Sequence, residues 1–220
     1  MFHRSAPFPA APPQPGPGLS DFLSCLSPAS TVLRDFNLVV STYRQRENDC
    51  IAELWYFARE IGDKELDASR SGLPALILAK TSLDPEVFAA KARERILENP
   101  WYFRYVLKIV PIQQVVEARI EEMVNAAQRL SELRLRPADT FKVEARIRLS
   151  ELTRDKVVEA IASVIHNKVN LTNPDKVVLV EVIGNLAGVS VISPELIVSV
   201  ERLRREARKA SRRLNAEPLE

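Results

Sequence analysis

Lys142, Glu144, Arg146 and Arg148 alternate along the chain with Phe141, Val143, Ala145, Ile147 and Leu149. Side chains on a strand point to opposite faces with a period of two, so this is a half-buried strand with a mostly cationic outer face. A row of cations fixed on a sheet can hold phosphates. Further cations lie nearby in sequence: Arg104, Lys108, Arg154, Lys156, Lys168 and Lys176. Each phosphate neutralised makes log K fall more steeply with log salt, by about 0.7–0.9. Aromatic residues are few, so recognition by shape and backbone suits this composition better than readout of unstacked bases. An ordinary solvated sheet face is the alternative, since Lys and Arg are common there.

Other residues that could do chemistry stand alone. Glu181 sits inside the apolar run Val177-Val178-Leu179-Val180-Glu181-Val182-Ile183. A carboxylate buried there must be paired or neutralised, and an ion pair with a cation on a neighbouring strand, such as Lys142 or Arg146, accounts for it better than catalysis. His166 follows an amphipathic helix, where the helix dipole favours a cation, and reads as a surface or cap residue. Asn99-Pro100-Trp101-Tyr102 is similar to the Asn/Asp-Pro-Pro-Tyr motif of amino-group methyltransferases but fails at its third position. The chain has six glycines and no Gly-x-Gly turn, no Walker loop and no Gly-x-Ser-x-Gly elbow, so neither catalytic residues nor a cofactor are expected. Cys25 and Cys50 match no zinc spacing, and no metal is expected.

The elements that must position these residues fall into two units. Residues 1–30 are a Pro/Ala-rich leader, expected to be disordered, and its prolines break any signal-like apolar core. No run approaches the roughly 18–20 apolar residues that cross a bilayer. From 35 to 111 the order reads β-α-β-β-α-β. Phe36–Thr42 is a strand, and Cys50, Ile51, Leu54, Ala58 and Ile61 mark a helix stopped by Gly62. A short strand near Glu65–Ala68 precedes Leu76–Lys80. Asp84-Pro85-Glu86 opens a second helix, and Tyr105–Val110 closes the unit. This is the ferredoxin-like split pattern. From 112 to 193, Val116, Ile120, Met123, Val124, Ala127 and Leu130 keep helical spacing. The alternating strand follows, then a helix from Thr153 or Asp155. Two strands close the unit, Val177–Ile183 and Leu186–Ile192, apolar on successive residues as befits strands covered on both faces. Residues 194–220 form a helical tail rich in arginine, including Arg202, Arg204, Arg205, Arg208, Arg212 and Arg213. It can be a solvated helix face, an RNA arm or a contact for an acidic partner.

The second unit resembles a THUMP domain. The matching residues are Thr140-Phe141-Lys142-Val143 with Arg146 and Arg148, then Lys168-Val169-Asn170-Leu171 leading to Asn173-Pro174-Asp175. Val178-Leu179-Val180-Glu181-Val182 and Ala187-Gly188-Val189 complete the set. Phe36–Arg44 with Glu47, and the strand with Tyr105, Lys108, Val110 and Pro111, look like the THUMP-only family that assists tRNA acetylation. The resemblance implies an α/β (α+β) fold, a ferredoxin-like domain followed by a THUMP domain. It implies a cytoplasmic tRNA-binding adaptor that does no chemistry and serves a separate RNA cytidine acetyltransferase forming acetylcytidine in the D-arm. No membrane or small-molecule partner is implied. By position it points to Lys142, Arg146, Arg148, Asn173 and Lys176 as RNA contacts, and Arg44 matches the family's opening motif. A protein scaffold docking through the tail, or a stand-alone RNA-modifying enzyme, are the rival readings.

Overall fold

Among the described residues, two sheets of five strands each stack with their apolar inner faces together and carry helices on their outer faces. The computed structural model describes residues 34–214, with side chains through Lys209. The leader, Cys25 and the side chains of Arg212 and Arg213 lie outside the described residues. The first sheet holds β1 (Leu38–Ser41), β2 (Asp67–Arg70), β3 (Leu76–Lys80), β4 (Lys108–Pro111) and β10 (Val198–Ser199), in the order β10-β4-β1-β3-β2, all antiparallel. The order 4-1-3-2 within it is that of a ferredoxin-like unit. Helices α1 (Glu47–Glu60) and α2 (Pro85–Glu98) cover its outer face through Cys50, Leu54, Phe57, Phe88, Ala92 and Ile96. The start of α2 is set as the sequence indicates: Asp84 accepts from the N–H groups of Glu86 and Val87 at 2.7 and 3.3 Å, and Pro85 occupies the first turn.

The second sheet holds β5 (Gln114–Glu117), β6 (Thr140–Arg148), β7 (Lys168–Val169), β8 (Lys176–Ile183) and β9 (Leu186–Ile192), in the order β5-β9-β8-β6-β7. Strand β6 runs parallel to β7 and β8, and the other pairs are antiparallel. Helices α3 (Ile120–Arg134) and α4 (Arg154–Ala162) cover its outer face through Met123, Ala126, Ala127, Val157 and Ile161. Between the sheets lies a third apolar core. Phe36, Val39, Leu78, Val110 and Ile112 meet Val177, Leu179 and Ile192 there. This explains the unbroken apolar run of β8: Val178, Val180 and Val182 face the helices, while Val177 and Leu179 face the first sheet.

Three short strands depart from the sequence reading. The helix expected from Val116 starts at Ile120, because Gln114–Glu117 pairs with β9, where the β-branched Val115 and Val116 fit a pleated edge. Lys168–Val169 pairs with the start of β6. The tail expected as helix from Glu195 first forms a 3-10 turn at Pro194–Leu196 and then β10, which pairs with β4. Only then does α5 (Val200–Leu214) begin. Val198, Val200 and Leu203 are buried in the core of the first sheet, so this segment belongs to that core.

Gly188 on β9 sits where the sheets join. A Cβ built there would lie 2.9 Å from Cγ2 of Ile112, itself buried. Substituting Gly188→Ala should destabilise the fold by about 1–3 kcal/mol through overpacking, read as a lower urea midpoint with unchanged far-UV circular dichroism.

Candidate nucleic-acid interface

The charged side chains of β6 point to the same side of the sheet as Glu181, because β6 and β8 run parallel with Arg146 opposite Glu181. That side faces the first sheet. Glu181 is buried, and its Oε2 accepts from Nη1 of Arg148 at 2.5 Å while Nε of Arg146 lies 3.7 Å from Oε1. Nζ of Lys142 lies 2.9 Å from Oε1 of Glu144. The ion pair expected of Glu181 is present, with Arg146 and also with Arg148. Arg148 is thereby engaged within the fold: its charge matches a carboxylate buried away from water. Arg146 keeps half its side chain exposed.

What makes the surface cationic comes from elsewhere in the chain. Lys108 on β4 and Arg202 and Arg205 on α5 converge with Lys142 and Arg146 around a cleft of about 390 Å³, against the carboxylate of Glu144. Its other walls include Thr172, Pro174, Val177 and Ile197. Burial pushes the Lys108 ammonium down to about 8, the neighbouring Arg146 adding to the shift, with Glu181 and Glu144 opposing it. Burial alone would raise the Glu144 carboxyl. The hydrogen bond and charge of Lys142, with Lys108 and Arg146 behind it, hold it below its ordinary value. Arg202 donates from Nη2 to the Ile197 carbonyl at 3.1 Å, while its buried Nε has no hydrogen-bond partner among the described residues and lies 3.8 Å from Glu206. In the sequence Arg202 and Arg205 stand out only as members of the basic tail. The apolar Ile197-Val198 and Val200 around Ser199 were the only hint that the tail is anchored beside β4.

The remaining candidates scatter. Asn173 is exposed between Thr172 and Pro174, in a loop that Asn170 closes by bonding both the N–H and the carbonyl of Asn173. Lys176 donates to Oγ of Ser193 at 3.0 Å. Lys168 on β7 and Arg154 at the start of α4 are exposed and do not line the cleft. Arg104 stacks over the Tyr105 ring, 5.5 Å from its centroid. Arg44 lines a separate hollow with Arg70 and Glu47. His166 is exposed, as expected. Cys50 is buried, which pushes its thiol up to about 12. Among the described residues, no group of three or more His, Cys, Asp or Glu side chains could hold a metal, and no helix is long and apolar enough to cross a membrane.

Comparison with known families matches residues 117–192 to the THUMP domain. The chain contains a THUMP domain. The match spans β5's last residue to the end of β9, which is the second sheet less most of β5, with α3 and α4. Among solved structures, the chain is similar to PH1313 from Pyrococcus horikoshii, at 21% identity and a TM-score of 0.49, over 71% of this chain and 55% of that one. It is also similar to TrmN from Thermus thermophilus, at 19% identity and a TM-score of 0.49, over 71% of this chain and 45% of that one. A 4-thiouridine synthetase in complex with RNA and ATP gives 18% identity and a TM-score of 0.47, over 72% of this chain and 42% of that one. The chain thus spans about half the length of these structures. No curated protein matches it.

The two arginines of the THUMP sheet should separate on mutation. Arg148→Ala leaves Glu181 buried with only the more distant Arg146, and should cost about 3–5 kcal/mol. Arg146→Ala removes a half-exposed partner and should cost under about 1 kcal/mol. Urea denaturation of both variants measures the difference, and equal losses would refute the assignment.

Proposed function

We propose that the protein binds tRNA in the cleft between its two sheets and acts as an adaptor, holding the tRNA for a separate RNA cytidine acetyltransferase that forms acetylcytidine in the D-arm. The observation that carries this reading is the convergence of Lys108, Lys142, Arg146, Arg202 and Arg205 from three elements, beside a THUMP domain. Cations spread over one strand of each sheet and a helix suit a folded polyanion, whose phosphates are presented at several heights at once. Asn173, on the loop whose Thr172 and Pro174 line the cleft, supplies a neutral contact at its rim. Arg148 acts by holding Glu181 rather than by touching RNA. The reading carries with it a cytoplasmic setting. The rival role as a scaffold docking through a free Arg-rich tail has less support, since Arg202 and Arg204 are bonded to carbonyls of the fold itself.

Binding of bulk tRNA to the full chain, measured at two salt concentrations, tests the cleft. Lys142→Ala with Arg146→Ala, or Arg202→Ala with Arg205→Ala, should weaken binding and flatten the slope of log K against log salt by about 0.7–0.9 per lost contact. Unchanged binding by folded variants would refute the site. For the adaptor role, acetylcytidine should form when acetyltransferase, tRNA and this protein are combined, and fall when this protein is left out. Modification of tRNA by this protein alone would overturn that role.

A pH effect should accompany binding. Lys108, titrating near 8, carries its charge below that pH and loses it above. The affinity for tRNA should therefore fall as the pH rises from 7 to 9. Lys108→Met should bind more weakly at pH 7 and show no such fall.

A further inference from the structure

The turn after α2 carries a second site that the cleft does not use. Asn99, at the end of α2, accepts the Trp101 N–H on its side-chain oxygen at 3.1 Å, and its carbonyl accepts the Tyr102 N–H at 3.0 Å. This turn sends the two aromatics in opposite directions. Tyr102 packs edge-on against Phe57 and Phe103 and donates its hydroxyl to Glu60 at 2.6 Å. Trp101 is left 64% exposed. Two guanidiniums from α5 lie over its ring, Arg204 at 4.8 Å and Arg208 at 5.3 Å from the centroid. Arg204 is fixed there by bonds to the carbonyls of Pro100 and Phe103. Farther along the same turn Tyr105 has Arg46 and Arg104 within 5.8 and 5.5 Å of its ring. On α1, Glu53 accepts the backbone N–H groups of Arg104, Tyr105 and Val106, Glu60 is taken by Tyr102 and Arg95, and Asp49 pairs with Arg46. The ridge therefore presents aromatic rings interleaved with cations, and these three acids of α1 are already engaged.

We infer that Trp101, with Arg204 and Arg208 over part of its ring, is a stacking site for an unpaired nucleotide of a single RNA strand. Under these guanidiniums the indole stays largely exposed, leaving ring surface that any base can cover, and Arg208 can meet a flanking phosphate while Arg204 stays on its carbonyls. An acidic peptide would satisfy the charges but leave the ring without a partner. The site needs no sequence readout. It rests on the nucleic-acid reading above only in the class of its ligand, since its residues are not those of the cleft.

The chain has two tryptophans, so in a Trp55→Phe background Trp101 is the sole tryptophan and can be excited selectively at the red edge, beyond tyrosine absorption. Titration of that full-length variant with unstructured hexauridylate should quench its fluorescence saturably. By anisotropy of a labelled hexamer, Trp101→Ala should lose affinity about 5- to 100-fold. Trp101→Phe, which keeps a ring, should recover part of it, and Arg208→Ala should weaken binding and its salt dependence. Lys142→Ala with Arg146→Ala should leave the hexamer signal intact while weakening tRNA, which tells failure of the cleft from failure of this site. The absence of quenching in a folded Trp55→Phe protein would overturn the proposal. So would equal quenching by polyphosphate, which marks charge without stacking. Quenching by polyglutamate and not by the hexamer would assign the surface to an acidic protein and equally overturn it.

Discussion

A carboxylate cut off from water at Glu181 governs the charged half of this molecule. Desolvating an isolated carboxylate costs several kcal/mol, so the fold must bring cations to it. The parallel register of β6 and β8 does so by setting Arg146 opposite Glu181 and Arg148 one pleat farther on. Much of the positive character that β6 shows as a sequence is thus internal compensation. Three cations on β6 stand beside the two carboxylates of Glu144 and Glu181, and the strand alone has little charge to spare. A polyanion site here depends on Lys108 and α5 adding to what Glu181 does not consume.

The position of the cleft follows from where apolar contact between the sheets ends. Strands β8 and β9 contribute Val177, Leu179 and Ile192 to the inter-sheet core, and the first sheet answers with Val39, Leu78 and Val110. On the same side of the second sheet, β6 carries Lys142, Glu144, Arg146 and Arg148, and none of these joins that core. Covering them with apolar strand would strip water from four charged groups. A crevice opens instead, with β4 and β10 on one wall and β6 on the other. The partial burial of Lys108 is the residue of this compromise: close enough to apolar surroundings and to Arg146 to lose part of its basicity, close enough to Glu181 and Glu144 to keep the rest.

Much of the scaffold was legible in the residues. Alternation gave β6, continuous apolar runs gave β8 and β9, and Asp84-Pro85 gave the start of α2, because each signal is local. The strands that escaped, β5, β7 and β10, are short and owe their form to a partner distant in sequence. The site was legible only in part for a similar reason. Lys142, Lys108 and Arg146 could be named as cations, but that Arg148 is committed to Glu181 depends on strand register, which no single strand encodes. Arg202 and Arg205 looked like members of an undifferentiated basic tail. Their role is set by β10, a two-residue strand.

The tail shows how a cationic run becomes a directed surface. In α5 the buried stripe is Leu203 with the partly buried Ala207, four residues apart. Arg204 and Arg208 share that spacing on one flank and reach Trp101, while Arg202 and Arg205, three apart, lie on the other flank and reach the cleft. A helix turns about 100° per residue, so one anchored stripe fixes both cationic stripes at once. Detached from the core, the same residues would keep their charge and lose this division of faces. The cleft exists only when β4, β6 and α5 are assembled, and its five cations come from positions nearly a hundred residues apart. Affinity built this way belongs to the folded whole, and the segment after the THUMP domain is as much a wall of the site as the domain itself.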